Sequence, residues 1–339
     1  MTYLCVCLKD YPDIAIAELK ALFNDLKQTG RGFALIEKTI DLDIANRLSF
    51  TKKIGKIILT ADNENELIEN INQNNEIPKL YNKNFAFRKH IDNKILKHTE
   101  VELAEIIGLR INAITKSKVD VDLNNPNTLF DLYHFENKFY LTLNKWINSE
   151  EYTERYPHKR KVFFPISLKP KLARALVNIG STNKKLTTID PFCGTGGILV
   201  EACLMDIKTK GNDIDERMIS ASEQNITELC KKDVELKEGD ALEYIKKIKL
   251  KNYCIVTDPP YSKNTKKVTD AKQFYINLLH ALDNCNAKRI VIMLPEFSDK
   301  RIDCSKIISK INNYKVSLIT RMYVHKSLNR LIYLLTQNQ

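Results

Sequence analysis

An apolar run at residues 186–189 enters the turn Asp190-Pro191-Phe192-Cys193-Gly194-Thr195-Gly196-Gly197 and leaves it as a helical pattern at 197–204. A strand that passes through glycines into a helix lets a ligand approach the backbone beside a helix N-terminus. The same alternation continues downstream. Strands are predicted at 207–212, 234–238, 253–257, 289–294, 315–322 and 330–336, and helices at 215–230, 271–282 and 302–312. Such a series implies a largely parallel sheet covered on both faces, an α/β Rossmann-like fold, with the last two strands as a hairpin-like edge. The turn alone does not name its ligand, because a glycine loop of this kind could equally cradle a dinucleotide.

Acidic residues at successive strand ends narrow the choice. Asp213 closes the second strand, where a carboxylate can accept hydrogen bonds from ribose hydroxyls, while Asp215 suits the N-cap of the next helix. Asp240 and Ala241 follow the third strand, and an aspartate there can accept from an adenine amino group. The fourth strand ends in Asp258-Pro259-Pro260-Tyr261. In a doubly wound sheet this strand lies beside the first, so its loop meets the glycine turn at the carboxyl edge. Two consecutive prolines remove two N–H donors and stiffen the chain, leaving the Pro259 carbonyl and the Asp258 carboxylate as acceptors.

That set suits one kind of reaction. An aromatic exocyclic amine is a poor nucleophile because its lone pair is delocalised into the ring. A catalyst must accept hydrogen bonds from its N–H groups and stabilise the positive charge that develops as nitrogen attacks. Asp258 and Pro259 can do this while Tyr261 stacks on the base and aligns it. The cofactor implied is S-adenosylmethionine, and no metal is required. A base held in folded RNA or in a duplex would have to be flipped out to reach such a site. The motif leaves guanine, adenine and cytosine open.

Residues 1–150 carry neither a glycine-rich phosphate loop nor an acidic cluster. They read as α+β material, with strands at 3–8, 33–37, 54–60, 84–88, 128–135 and 138–146, the last two joined by the polar turn Glu136-Asn137, and helices at 13–23, 64–72 and 99–108. The 339 residues contain 53 Lys and Arg against 42 Asp and Glu, a formal charge of +11 that favours phosphate polyanions. Between Glu154 and Asp190 there is no acidic residue, while Arg155, Lys159, Arg160, Lys161, Lys169, Lys171, Arg174, Lys184 and Lys185 supply nine cations. A polyanion touching both halves would pass this stretch. The eight cysteines are scattered with no C-x-x-C pair, which argues against a zinc site and a secreted disulfide framework. No apolar run approaches the roughly 18 residues of a membrane helix, and the N-terminus lacks the features of a signal peptide. A cytoplasmic protein is expected.

Several segments carry a resemblance to a known family. The stretch Phe163 to Asn178, the segment Asp190 to Ala202 and the run His325-Lys326-Ser327-Leu328-Asn329-Arg330 resemble the archaeal tRNA guanosine-10 N2-methyltransferases. Upstream, Phe85 to Arg88, Thr99 to Gly108 and Val119 to Pro126 resemble a THUMP domain, an RNA-binding module. The resemblance implies an N-terminal ferredoxin-like region at 1–48, THUMP at 49–148, a basic linker at 149–170 and a Rossmann-like class I methyltransferase domain at 171–339. It implies methylation, once or twice, of the N2 amine of a tRNA guanosine; another tRNA guanosine, a ribosomal RNA guanosine or adenine N6 stand as alternatives. Asp190, Phe192, Cys193, Gly194, Gly196, Asp213, Asp240, Ala241 and Asp258 would surround the cofactor, with Phe163 or Phe164 covering the adenosyl group, and Asp258 to Tyr261 would form the catalytic motif. Arg88, Lys159, Arg160, Lys161, Lys169, Lys171, Arg174 and Lys263 are the candidate RNA contacts. The sequence departs from the family at Ser262, commonly glycine, and at Lys161-Val162-Phe163-Phe164, more usually Arg-Pro-Phe/Tyr-Phe. A monomer is expected, with the need for a small activator protein left open.

Overall fold

The computed structural model describes residues 1–23, 25–30, 32–164, 167–261, 271–299 and 302–338. Its chain divides into two compact units, one made of residues 1–12, 23–46 and 51–149, the other of residues 13–22, 47–50 and 150–339.

The first unit begins with β1 (Tyr3–Cys7), after which the chain forms α1 (Pro12–Leu22), β2 (Leu26–Gly30), β3 (Phe33–Ile36) and α2 (Leu42–Ala45). Then come β4 (Thr51–Ala61), α3 (Glu64–Gln73), α4 (Ile77–Leu80), β5 (Asn84–Lys89), α5 (Glu100–Thr115), β6 (Asp120–Val121), β7 (Thr128–Phe135) and β8 (Lys138–Ile147). The eight strands make one sheet in the order β2-β3-β1-β4-β8-β7-β5-β6. The 11-residue β4 is the seam, pairing with β1 on one side and β8 on the other. Helix α5 starts at a capping box, in which Thr99 accepts from the Glu102 amide and the Glu102 side chain accepts from the Thr99 amide. Leu103, Ile107 and Ile111 recur every four residues and are fully buried in the core that contains Phe85, Phe87 and Phe130. Glu136 and Asn137 both adopt positive φ, 48° and 59°, as a two-residue hairpin of type I′ requires.

The second unit contains α6 (Pro170–Gly180), β9 (Thr187–Asp190), α7 (Gly197–Leu204), β10 (Thr209–Asp213), α8 (Glu216–Cys230), β11 (Glu235–Glu238) and α9 (Ala241–Lys246). After these follow β12 (Tyr253–Thr257), α10 (Ala271–Asp283), β13 (Arg289–Phe297), α11 (Cys304–Ile308), β14 (Tyr314–His325) and β15 (Leu328–Gln337). The strand order is β11-β10-β9-β12-β13-β15-β14. The first five strands are parallel, and β15 and β14 close the sheet antiparallel. The α+β and Rossmann-like α/β halves read from the sequence are therefore both present. All five residues of β12 are buried, as in a strand covered by helices on both faces. From β9 the chain runs outward to β10 and β11, then returns to place β12 on the opposite side of β9, so the crevice at this reversal lies above the carboxyl ends of β9 and β12.

Helix α1, whose residues 13–22 belong to the second unit, carries a buried acid within that unit. Glu18 accepts from the Ser49 amide and hydroxyl, each at 2.9 Å, from the Phe50 amide at 3.0 Å and from Asn178 Nδ2 at 2.7 Å. Asn178, on α6, also donates to the Arg47 carbonyl at 2.7 Å and accepts from Arg47 Nε at 3.1 Å. Removing the carboxylate would leave several buried donors without an acceptor. Glu18→Ala is expected to cost about 3 kcal/mol of stability, and Glu18→Gln less, read as shifts in the urea unfolding midpoint of the full chain. A midpoint unchanged in Glu18→Ala would contradict this account of the packing.

Candidate functional site

Backbone geometry shapes the turn after β9. Gly194 and Gly196 have φ of +51° and +80°, conformations that side chains rarely adopt, and a Cβ on Gly196 would lie 2.5 Å from Ser222 Oγ. The Gly196 amide donates to the Cys193 carbonyl at 2.8 Å, and the Cys193 amide to the Asn212 carbonyl at 2.9 Å. Asn212 itself is buried, and its Nδ2 donates to the carbonyls of Pro191 and Gly239 at 3.2 and 2.9 Å. One side chain at the end of β10 thus ties together the loops that follow β9 and β11.

Three carboxylates stand near this crevice. Asp190 Oδ1 accepts from Thr257 Oγ1 at 2.7 Å and from the Phe192 amide at 3.1 Å. Burial raises its carboxyl to about 7, against the pull of these two donors. Asp213 Oδ2 accepts from the Gly194 amide at 2.9 Å and Oδ1 from the Asp215 amide at 3.1 Å; burial raises this acid too. Asp258 is held from two sides. The Tyr261 hydroxyl donates to Oδ1, and Arg330 Nη2 lies 3.7 Å from Oδ2. Burial raises the Asp258 carboxyl, with Arg330 and then Tyr261 opposing the rise. The Tyr275 hydroxyl, from α10, donates to the Pro260 carbonyl at 2.8 Å and anchors the proline loop.

One cavity brings together Phe164, Asp190, Phe192, Cys193, Gly194 and all of Asp258, Pro259, Pro260 and Tyr261. Gly196 caps the helix that begins at its wall. Asp213 reaches the cavity indirectly, through its bond to Gly194. Asp240 and Ala241 are absent from the lining; Asp240 is exposed and caps α9 by accepting from the Glu243 amide at 3.0 Å. The lining also includes Ser167, Thr195, Met218 and Arg330, which the sequence reading did not single out. The hydroxyls of Ser167 and Thr195 are 3.0 Å apart. Their only signal in the sequence was position, one in the stretch before α6 and one inside the glycine turn. Thr257 and Asn212 were equally plain, since each reads as an ordinary strand residue.

The basic stretch separates into two groups. Arg160 and Arg174, expected to follow an RNA backbone, are 5% and 4% exposed, and this corrects the expectation. Arg160 Nε donates to the Arg155 carbonyl at 3.0 Å, and Arg174 pairs with Glu150 at 2.6 Å beside the buried Glu201–Arg155 pair. A guanidinium in such a network serves packing and cannot also reach a polyanion. Lys159, Lys161 and Lys169 are exposed, although Lys159 lies 2.7 Å from Glu154. Lys171 is half-buried, its ammonium 5.0 Å from the centre of the Tyr152 ring. In the first unit Arg88 is half-buried and donates to the Leu123 carbonyl at 2.6 Å. Lys263 lies outside the described residues.

Comparison with known proteins places relatives beside this geometry. The family model for the RMKL-like methyltransferase domain matches residues 157–323. A tRNA (guanine(10)-N2)-dimethyltransferase of Pyrococcus abyssi is 29% identical over 330 residues, 96% of each chain. A protein of Methanothermococcus thermolithotrophicus designated probable tRNA (guanine(10)-N2)-dimethyltransferase is 32% identical over 170 residues, 48% of this chain and 96% of its own. The solved structure of SMU.472 complexed with SAH superposes with a TM-score of 0.52 at 15% identity, covering 100% of this chain and 99% of that one, a likeness of fold.

The raised Asp190 has a measurable consequence. Its folded-state value lies above that of an unfolded aspartate, so its contribution to stability is complete at acid pH and is lost as pH rises through about 7. Asp190→Asn keeps an acceptor for Thr257 and Phe192 but does not titrate. The stability of Asp190→Asn relative to the parent chain is expected to grow by about 1 kcal/mol between pH 6 and pH 8, read from urea midpoints. A gap that stays constant would mean that Asp190 is already ionised at pH 6.

Proposed function

Because the chain belongs to the tRNA (guanine(10)-N2)-dimethyltransferase family, we propose that it transfers methyl groups from S-adenosylmethionine to the N2 amine of a guanosine in tRNA. The observation that carries this reading is the convergence of the glycine turn and the Asp258-Pro259-Pro260-Tyr261 loop on one cavity. The nucleotide is taken to be position 10 and the product to extend to the dimethylated base, as the relatives' names suggest.

The residues present suit S-adenosylmethionine. Two glycines with positive φ leave the backbone uncovered beside the start of α7, and a Cβ on Gly194 would meet nothing within 4 Å. Asp213 and Asp190 offer acceptors for ribose hydroxyls and an ammonium group, while Phe164, Phe192 and Met218 offer apolar surface. A bound cation would also favour the ionised form of Asp190. When bound, the cofactor supplies a methyl group activated on a sulfonium.

The chain's own part is to make the amine react. Asp258 and the Pro259 carbonyl accept hydrogen bonds from the N2 hydrogens, drawing electron density toward nitrogen and stabilising the charge that forms on it. The amine shares or displaces the bond that the Tyr261 hydroxyl makes to Asp258 Oδ1. Tyr261 then offers its ring as a stacking surface for the base, which fixes the direction of attack. The proline loop keeps these acceptors in place without reorganisation, since both φ angles are set by the rings and Tyr275 holds the Pro260 carbonyl. A guanosine paired in tRNA must be flipped out to enter. The first unit is read as the RNA-gripping half with its THUMP module, and Arg88, Lys161 and Lys169 as contacts to phosphate.

The test uses purified chain, labelled S-adenosylmethionine and unmodified tRNA transcripts. Label is expected in the tRNA, and Asp258→Ala is expected to lower the rate by about 10²-fold or more while leaving tRNA binding within a factor of about two. Full activity in Asp258→Ala, or label in DNA with none in tRNA, would overturn the proposal.

A further inference from the structure

Arg330 sits on β15, in register with Pro295 of β13, and its side chain turns toward the cavity. It belongs to the run His325 to Arg330, whose turn is organised by His325, with Nδ1 accepting from the Ser327 amide at 3.3 Å. The acid nearest in register, Glu296, is already engaged: Arg321 pairs with it and Asn329 Nδ2 donates to it at 2.9 Å. Arg330 instead faces Asp258, at 3.7 Å, and lies over the Tyr261 ring with Cζ 5.4 Å from its centre. Its Nε is buried and has no hydrogen-bond partner among the described residues. One guanidinium therefore touches both side-chain members of the proposed catalytic motif and retains a buried donor.

We propose that Arg330 is a positioning residue of the transfer site, holding Asp258 as a carboxylate and keeping the Tyr261 ring aligned with it. This rests on Asp258 being the acceptor for the amine. A protonated Asp258 has one fewer acceptor site and cannot stabilise the charge that develops on nitrogen, so the reaction needs the ionised form. The surroundings work against ionisation. Burial is the largest influence against it, and Asp190, from the end of β9, adds negative charge nearby once it ionises, with Asp213 beyond it at the end of β10. Tyr275 faces Asp258 from α10 and Tyr261 faces it from its own loop, both uncharged. Among these groups Arg330 is the cation, and an opposite charge at this distance favours the carboxylate. The same guanidinium over the Tyr261 ring adds a cation–π contact, which fixes the ring without taking its hydroxyl from Asp258.

The experiment measures kcat for tRNA transcript methylation from pH 5.5 to pH 9, with tRNA and S-adenosylmethionine saturating, in parent chain, Arg330→Met and Arg330→Lys. Loss of the charge in Arg330→Met should move the acid limb of the profile up by about one pH unit or more. Below that limb kcat should fall by about tenfold per unit of displacement, while KM for tRNA stays within about twofold. Arg330→Lys keeps the charge, so its acid limb should stay near that of the parent even though kcat drops from the lost stacking. Should Arg330→Met fail to fold, Arg330→Gln carries the same expectation. A uniform loss of kcat at every pH in Arg330→Met, an acid limb displaced in Arg330→Lys, or a raised KM with the limb unmoved would each overturn the proposal. Inactivity of the parent chain on tRNA would instead count against the function itself, so the two failures are distinguishable.

Discussion

The Thr257 hydroxyl meets the Asp190 carboxylate at 2.7 Å inside the sheet, joining two loops that lie 67 residues apart in sequence. The site depends on this join. Asp190 opens the glycine turn and Thr257 immediately precedes Asp258, so a displacement of β9 against β12 would separate the ligand-facing backbone from the amine-facing acceptors. The parallel pairing of β9 and β12 brings the strand ends together, and the bond fixes how their last residues face. Burying a carboxylate there carries a desolvation cost, visible in the rise of Asp190 to about 7. The Thr257 and Phe192 donors offset part of that cost.

The same logic of matched donors runs through the crevice. Asp213 is met by two backbone amides, Asp258 by a phenol and a guanidinium, and Asn212 bridges two carbonyls. Each acid is placed by groups fixed to a strand end or to a loop anchored on one. Such preorganisation matters for a reaction on a delocalised amine, because acceptors that had to rearrange would lose much of their effect on the barrier. The bond from Tyr261 to Asp258 has a further implication. It shows the tyrosine within reach of the carboxylate, so the ring and the acceptor are already held together before a base enters.

Much of this was legible in the sequence, for reasons that also explain what was not. Strand β12, YCIVT, is an apolar run, as a parallel strand covered on both faces must be, and was read to the residue; β9 and β10, TTID and TKGND, carry few apolar side chains and were placed within two residues as the strands that end in the glycine turn and in Asp213. The glycine turn and the proline loop were legible because their residue types are conformationally special. Strand β2, Leu26 to Gly30, is short, polar and ends in glycine, so it carries no period to detect. Long-range partnerships were also invisible. Nothing local indicates that β4 joins two sets of strands, that Glu18 on α1 serves Ser49 and Asn178, or that Arg174 is claimed by Glu150. An acid-free stretch looks like a free basic surface until the acids that fold onto it are seen. Asp240 satisfied the series of strand-end acids, yet its side chain caps α9, the commoner use of an aspartate at that position. Arg330 stood in a segment noticed only for its resemblance, because nothing in its local sequence indicates that it faces Asp258 across the sheet.

The central claim is that the joined loops present one planar amine, the N2 of guanine, to a methyl donor. The most direct measurement is the identity of the modified nucleoside, obtained by reacting the chain with unmodified tRNA transcripts, digesting the product to nucleosides and analysing it by mass spectrometry against N2-methylguanosine, N2,N2-dimethylguanosine and N6-methyladenosine. The account requires the methyl groups on guanosine N2. Methyl groups found on adenosine N6, on cytosine or on a ring nitrogen of guanine would contradict it.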